Sequence, residues 1–240
     1  MKISVAICAH NEENWIGATL ESLLKQERRA DEVIVVNNAS TDRTAQVVEK
    51  IAEAHPEGNI RIVYEGHKGL HHARETGWRS ASGDIIVATD ADIRFPTKWL
   101  QIYEEEFNAR PDIAAMSGPV RYYDALPFIN WSAYFFEKGS QPEGFGKLFT
   151  KTYHVNGGNS AYRRSALEAV NGYLDKPIGT VEDLHIAAKL QDAHLSIRFI
   201  QRNKVLHTFR RFNKDGWRGY IRYLFFYTPE NVYPDHLQDN

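Results

Sequence analysis

The chain has 240 residues and a mass of 27.5 kDa, enough for one large domain with a sizeable core. With 42% hydrophobic and 25% charged residues its composition is ordinary for a globular protein, and 29 basic against 31 acidic side chains give a net charge of only −2. That balance offers no chain-wide basic field for nucleic acid, and a single cysteine, Cys8, excludes an internal disulfide framework and disfavours a cysteine-ligated zinc site. No apolar run approaches the ~20 residues of a membrane span. The opening MKISVAICAHNEENW meets His and acids after a short apolar stretch and does not read as a leader, so a reducing cytoplasm is expected.

Residues 3–8 (ISVAIC) form a β-branched apolar run, predicted as a buried strand. Asn11 is placed to cap a helix over 14–25, where Ile16, Leu20, Leu23 and Leu24 share a face. A second strand is expected at 32–36 (EVIVV) and a helix at 42–54 carrying Val47, Val48, Ile51 and Ala54. A strand at 60–64, a helix at 70–80 begun by Gly69 and a strand at 84–89 (DIIVAT) follow. Apolar strands alternating with helices predict a mostly parallel sheet covered on both faces. Ligands of such sheets lie beyond the carboxyl ends of the strands, which directs attention to residues 9–12, 37–42 and 90–92.

Beyond Pro96 the pattern is less regular. A helix at 99–108 and a strand at 114–120 precede an aromatic, Gly- and Pro-containing stretch at 121–150, read as a segment laid on the sheet to shape the substrate site or as a mobile one. Core pattern resumes over 154–209, and 217–227 (WRGYIRYLFFY) is an aromatic and basic helix candidate. That tail suits packing over the sheet, a dimer contact or a bilayer interface. No repeat or linker divides the chain, so one domain is expected over 1–240, read in three parts at 1–96, 97–211 and 212–240.

Four clusters bear chemistry. Asp90 and Asp92 follow a buried strand, and residues i and i+2 of extended chain point to one side, so their carboxylates can share a divalent cation. Glu182 and Asp183 precede an apolar helical pattern; Thr180 with Asp183 fits a helix cap, and a carboxylate there equally suits a general base. Gly157 and Gly158 could form a tight turn or an anion-binding nest ahead of Asn159. His207, after Val205 and Leu206, could complete a metal site, while Arg210 and Arg211 could hold phosphate.

Taken together, VAICAHNEENWIGATLESLLKQ, EVIVVNNASTDRTAQVV, HKGLHHARETGWRSASGDIIVATDADIRFPTKWL, VNGGNSAYRRSALEAVNGYLD and TVEDLHIAAKL resemble, in order, the segments of family 2 glycosyltransferases. The resemblance implies a GT-A fold, with a nucleotide-binding half at 1–96 and an acceptor-binding half at 97–211, and transfer of a sugar from a nucleotide donor to a glycan, lipid-linked or small-molecule acceptor, with inversion. It places Ala9, His10, Glu12, Asn37 or Asn38, Asp42, Lys68, Arg74, Asp90 and Ala91 around the nucleotide, and Asp92 and His207 at Mn²⁺ or Mg²⁺. Asp183, with Glu182, would be the catalytic acid pair, and Gly157, Gly158 and Asn159 would face the acceptor. The family loop often opens on Asp, which accepts the N3–H of uracil; an amide of Asn37-Asn38 still accepts it, which keeps a UDP-sugar favoured, but does so more weakly and adds a donor, which leaves GDP and dTDP donors open. A sugar-1-phosphate nucleotidyltransferase would carry a Gly-rich loop where His10-Asn11-Glu12-Glu13 stands. A catalytically dead sugar- or nucleotide-binding module is the other alternative. Nucleic acid is not an expected partner; a homodimer and peripheral contact at the inner face of a membrane remain open.

Overall fold

The protein is described from a computed structural model covering residues 1–139, 155–173 and 182–210. The first four strands are β1 (Ile3–Ala9), β2 (Glu32–Asn38), β3 (Ile60–Glu65) and β4 (Ile85–Asp90), and every residue of β1 and β2 is buried. Alternation explains how a strand can be buried on both sides. Ile3, Val5, Ile7 and Ala9 pack with α1 (Ile16–Leu24), with Val48 of α2 (Thr44–Ala54) and with Trp99, Tyr103 and Phe107 of α4 (Trp99–Ala109). Ala6 and Cys8 point the other way, toward Trp78 of α3 (Leu70–Ser80), Leu167 of α6 (Arg164–Ala169) and Leu190 of α7 (Glu182–Asp192).

The main sheet has the order β3-β2-β1-β4-β8-β6-β9, completed by β6 (Ile113–Ser117), β8 (Ser160–Arg163) and β9 (Ser196–Phe199). β8 alone is antiparallel to its neighbours β4 and β6; the other pairs are parallel. A small second sheet joins β5 (Ile93–Arg94), β10 (Val205–His207) and β7 (Val120–Tyr122). This is the expected α/β architecture, with a parallel half followed by a mixed one.

Two expectations about the elements are corrected. The strand expected at 114–120 is two, because the chain leaves the main sheet at Gly118-Pro119, where the Pro119 carbonyl accepts from Val205 N–H of the second sheet. A Cβ on Gly118 would lie 2.7 Å from Asn159 Nδ2, so the crossover requires glycine. Asn11 does not cap α1, which begins at Ile16 after Trp15; Asn11 sits at φ 54°, a conformation asparagine tolerates, and its Oδ1 accepts Thr41 N–H at 2.8 Å. The stretch at 121–150 contains helix α5 (Pro127–Gly139), fastened by Asn130, whose amide bonds both the N–H and the carbonyl of Tyr122. Residues 140–150, His154, Thr180 and the tail at 217–227 lie outside the described residues. Among those described, no helix is long and apolar enough to cross a membrane.

Asn159, expected at the acceptor, is instead a buried junction with none of its surface exposed. Its Oδ1 accepts from Trp99 Nε1 and Tyr103 Oη, both at 2.8 Å, and its Nδ2 donates to the carbonyls of Pro119 and Asn203. One amide thereby joins α4, the β6–β7 crossover and the turn before β10. Asn159→Leu would take their partner from two buried donors, Trp99 Nε1 and Tyr103 Oη, and from the Asn203 carbonyl, and it is expected to cost at least about 3 kcal/mol in urea unfolding.

At the opposite end of the strands, Glu32 Oε1 accepts from Ser4 Oγ, Ser82 N–H and Ser82 Oγ, and Arg61 lies 3.5 Å from Oε2. Burial opposes its charge, but the hydrogen bonds and Arg61 prevail and hold its pKa at about 2, against an ordinary 4.5. A carboxylate depressed on folding stabilises above its unfolded pKa and ceases to as pH falls through its folded one. Unfolding midpoints should therefore fall between about pH 4.5 and 2 by more in the wild type than in Glu32→Gln.

Candidate active site

Strand register delivers the candidate residues to one edge. Ala9 pairs with Asn37 and Cys8 with Asp90, so the carboxyl ends of β1, β2 and β4 finish level. Because β8 runs antiparallel to β4, with Ser160 opposite Ala88, the preceding Gly157 and Gly158 arrive beside Asp90. Because β10 pairs antiparallel with β5, His207 lies opposite Ile93, next to Asp92.

Around the first two strands, several expected nucleotide contacts are engaged within the protein. Ala9 packs into the core, and His10 Nδ1 lies 2.6 Å from the Asn38 carbonyl oxygen. Asn38 accepts from Gly69 N–H and donates to the carbonyls of Glu65 and His67; its amide clasps the β3–α3 loop and is not available to read a base. Asn37 Oδ1 accepts Ser40 N–H at 3.1 Å, leaving that oxygen a second lone pair. Both Asp42 oxygens are engaged, by Thr44 N–H and Oγ1 and by Glu13 N–H, so Asp42 starts α2 and ties it to the β1–α1 loop. Burial resists that charge, yet these bonds hold its pKa below the usual value. Lys68 is exposed on the loop before α3.

Arg74, expected around the nucleotide and diphosphate, is engaged inside the protein. It is 3% exposed, with Nη1 on the Thr89 carbonyl at 2.7 Å and Nη2 on Asp90 Oδ1 at 2.5 Å. It is a fixed cation beneath the edge. Ala91 likewise turns inward, buried in the core with its carbonyl accepting Thr19 Oγ1.

Asp90 and Asp92 converge on His207: Nε2 lies 3.2 Å from Asp92 Oδ1 and 3.8 Å from Asp90 Oδ2. Nδ1 lies 2.7 Å from the Thr208 carbonyl, which fixes it as the donor and turns Nε2 to the carboxylates. Burial disfavours the imidazolium, but Asp90 and Asp92 outweigh burial and raise the His207 pKa. Asp92 Oδ2 accepts Arg210 Nε at 2.9 Å, and Arg210 Nη2 donates to Glu12 Oε1. Glu12 Oε2 is buried without a partner; burial, offset in part by Arg210 and aided by Asp92, pushes the Glu12 pKa up to about 7. Among the described residues, no group of three His, Cys, Asp or Glu side chains stands ready to hold a metal. The donor set nonetheless fits a hard divalent ion: carboxylate oxygen from Asp92, imidazole nitrogen from His207 and an orphaned carboxylate oxygen nearby.

The second acidic pair begins α7. Glu182 is buried, and Asp183 Oδ1 accepts Leu184 N–H at 2.8 Å. Burial raises both carboxyl pKa values; the pair also repel each other, while the charge of Arg74 and the N–H groups of Leu184 and Gly157 favour the Asp183 anion. Gly157 is wedged where a Cβ would meet Arg74 Nη2 at 3.3 Å and Glu182 Oε1 at 3.5 Å. A Cβ on Gly158 would lie 2.9 Å from Asp90 Oδ2. Neither glycine has a positive φ, so the anion-binding nest read as one option in the sequence is not formed. The pair instead provides room for two acidic clusters to approach one turn.

Three contributors were not legible in the sequence. Trp15 presents its ring 5.3 Å from the Arg210 guanidinium. Asp124 accepts from Thr208 Oγ1 and Phe209 N–H, fixing the turn that carries Arg210. Thr208 accepts Arg210 N–H. These partners lie up to about two hundred positions apart or in no recognisable motif, and only the register of the second sheet joins them.

The profile described as glycosyl transferase family 2 matches residues 4–170, well over half of the chain. The chain belongs to that family. It is 32% identical over 209 residues to the probable glycosyltransferase YdaM of Bacillus subtilis (strain 168), covering 82% of this chain and 48% of YdaM. It is 33% identical over 139 residues to the dolichol-phosphate mannosyltransferase of Pyrococcus furiosus (strain ATCC 43587 / DSM 3638 / JCM 8422 / Vc1), covering 56% of this chain and 37% of that protein. The chain thus spans less than half the length of these curated relatives. Its fold matches the mannosyltransferase PcManGT from Pyrobaculum calidifontis, solved with GDP-Man and Mn²⁺, with a TM-score of 0.75 and 25% identity over all of this chain and 65% of that one. TarS of S. aureus in complex with UDP-GlcNAc shares the fold, with a TM-score of 0.65 and 20% identity over 87% of this chain and 58% of that one. These neighbours make this family 2 domain a GT-A fold.

In this family 2 domain the glycine pair is a steric requirement. Gly158→Ala is expected to push Asp90 from its place and weaken nucleotide binding at least about tenfold, with a far-ultraviolet spectrum unchanged from the wild type. An alanine variant with full nucleotide affinity would show that Asp90 can give way freely.

Proposed function

We propose that this domain transfers a sugar from a nucleotide-sugar donor to an acceptor hydroxyl, with a divalent cation and with inversion. The supporting observation is the meeting of two acidic clusters at Gly157-Gly158: Asp90, Asp92 and His207 on one side, Glu182 and Asp183 on the other. Asp92 and His207 are the residues that would hold Mn²⁺ or Mg²⁺, whose chemistry there is to offset charge on the departing diphosphate. Asp90, held by Arg74, borders the nucleotide. Asp183 accepts the proton of the attacking hydroxyl at a carboxylate oxygen, with Glu182 beside it. A single attack opposite the leaving group inverts the anomeric centre. Acceptor contacts fall to Gly157 and Gly158. Relatives named for dolichol-phosphate and undecaprenyl-phosphate transfer make a lipid-linked acceptor a reasonable choice for screening.

For the donor base we favour uridine, accepted through the free lone pair of Asn37 Oδ1. The resemblance to PcManGT, solved with GDP-Man, supports guanosine as the second reading. Calorimetric titration with UDP, GDP and dTDP, with and without Mn²⁺, separates them: one nucleotide should bind in a metal-dependent manner, and Asp92→Ala should abolish that dependence. Failure of all three to bind would exclude the donor site.

The raised Asp183 pKa sets the sign of the pH dependence. The base works deprotonated, so turnover should decline on the acid side with a midpoint above the ordinary aspartate value of about 4. Asp183→Asn should reduce turnover with water or a sugar acceptor by about 10²- to 10⁴-fold while leaving nucleotide affinity unchanged. A loss of nucleotide affinity instead would assign Asp183 to the donor side.

A further inference from the structure

The two arginines of the site are held in contrasting ways. Arg74 is 2% exposed at its side chain and is anchored to a main-chain carbonyl as well as to Asp90. Arg210 is 35% exposed at its side chain, lies at the rim, and is bonded through its guanidinium to Asp92 and Glu12. Its main chain, by contrast, is fixed: its N–H donates to Thr208 Oγ1, which in turn donates to Asp124. A long flexible side chain on a pinned backbone can exchange partners without moving the fold.

The partners it holds matter. Asp92 has Oδ1 on His207 and Oδ2 on Arg210. The carboxylate that would bind a divalent ion is therefore already neutralised by a resident cation. An incoming ion and the guanidinium cannot share it without repulsion. Glu12 is only half engaged, with Oε2 buried and unpartnered, so the arrangement satisfies the acids incompletely.

We propose that Arg210 is an exchangeable counter-ion of the donor site. It neutralises Asp92 and Glu12 in the ligand-free protein, releases Asp92 to a divalent cation, and pairs with the donor's diphosphate. This rests on the donor-site reading above and adds a coupling to it. A cation arriving alone must displace Arg210 and leave a guanidinium without its carboxylate. A diphosphate arriving with it offers that guanidinium two anionic oxygens in matching geometry. Metal and nucleotide therefore favour each other by more than direct coordination supplies, and by linkage the coupling is reciprocal. The arginine also discourages capture of a metal ion when no donor is present.

The test follows free Mn²⁺ by electron paramagnetic resonance, with no nucleotide, with UDP and with GDP. Wild type, Arg210→Gln, Arg210→Lys and Asp92→Asn are compared, and thermal melts verify that each is folded. Arg210→Gln should bind Mn²⁺ alone about tenfold more tightly than the wild type, and the tightening brought by nucleotide should shrink by a similar factor. Arg210→Lys, which keeps the charge but not the fork that spans two carboxylates, should shift Mn²⁺ affinity in the same direction by about threefold, and it stands in if Arg210→Gln does not fold. Unchanged or weaker Mn²⁺ binding in both arginine variants, with binding abolished in Asp92→Asn, would overturn the counter-ion role and leave the donor site standing. No Mn²⁺ uptake by the wild type or by either arginine variant, with or without nucleotide, would overturn both.

Discussion

Five carboxylates at the carboxyl edge of one sheet, those of Glu12, Asp90, Asp92, Glu182 and Asp183, are matched by Arg74, His207 and Arg210. Everything distinctive about the site follows from this shortage of positive charge. Burying like charges together is unfavourable unless cations or hydrogen bonds compensate. Arg74 compensates from below, His207 from the second sheet and Arg210 from the turn beyond it. The remaining deficit appears as raised carboxyl pKa values and an orphaned Glu12 oxygen. A site left short of cations by its own fold is chemically suited to recruit one.

The scaffold keeps this charge cluster rigid by placing polar junctions inside apolar layers. Asn159 joins a helix and two crossovers through one amide, and Glu32 closes the far ends of β1, β2 and the turn before β4. Between these junctions β1, β2 and β4 carry mainly apolar residues to both faces. The edge that bears the carboxylates is thus supported at its base by packing and beside it by hydrogen bonds.

The parallel half was legible because its signals are local. Runs such as ISVAIC and DIIVAT identify strands by composition, and helix periodicity fills the intervals. Asp90, Asp92, Glu182 and Asp183 were visible because acids just past apolar strands or at helix starts stand out in the sequence. The roles of Asn38, Asp42, Arg74 and Asn159 were not legible, because each looks like a ligand contact until its partners are known. Asn38 faces a loop 27 to 31 residues away, and Arg74 meets Asp90 sixteen residues on. Nor did the sequence disclose that Pro119 transfers the chain to another sheet, since Val120 continues the apolar pattern across the break. Pattern specifies which face a residue takes; long-range pairing specifies what it touches.

The pairing of β10 with β5 has a consequence for the order in which the protein is made. Asp92 precedes Arg210 by 118 positions, and Glu12 precedes it by 198. As the chain emerges from the ribosome, β1 to β4 can associate while their carboxylates are still hydrated and lack two of their three cations. At some 5–20 residues per second, several seconds separate synthesis of the acids from synthesis of the histidine and arginine that later neutralise them. The hydrophobic layers can therefore form first, around an edge kept open by its own repulsion, and the charged centre closes last.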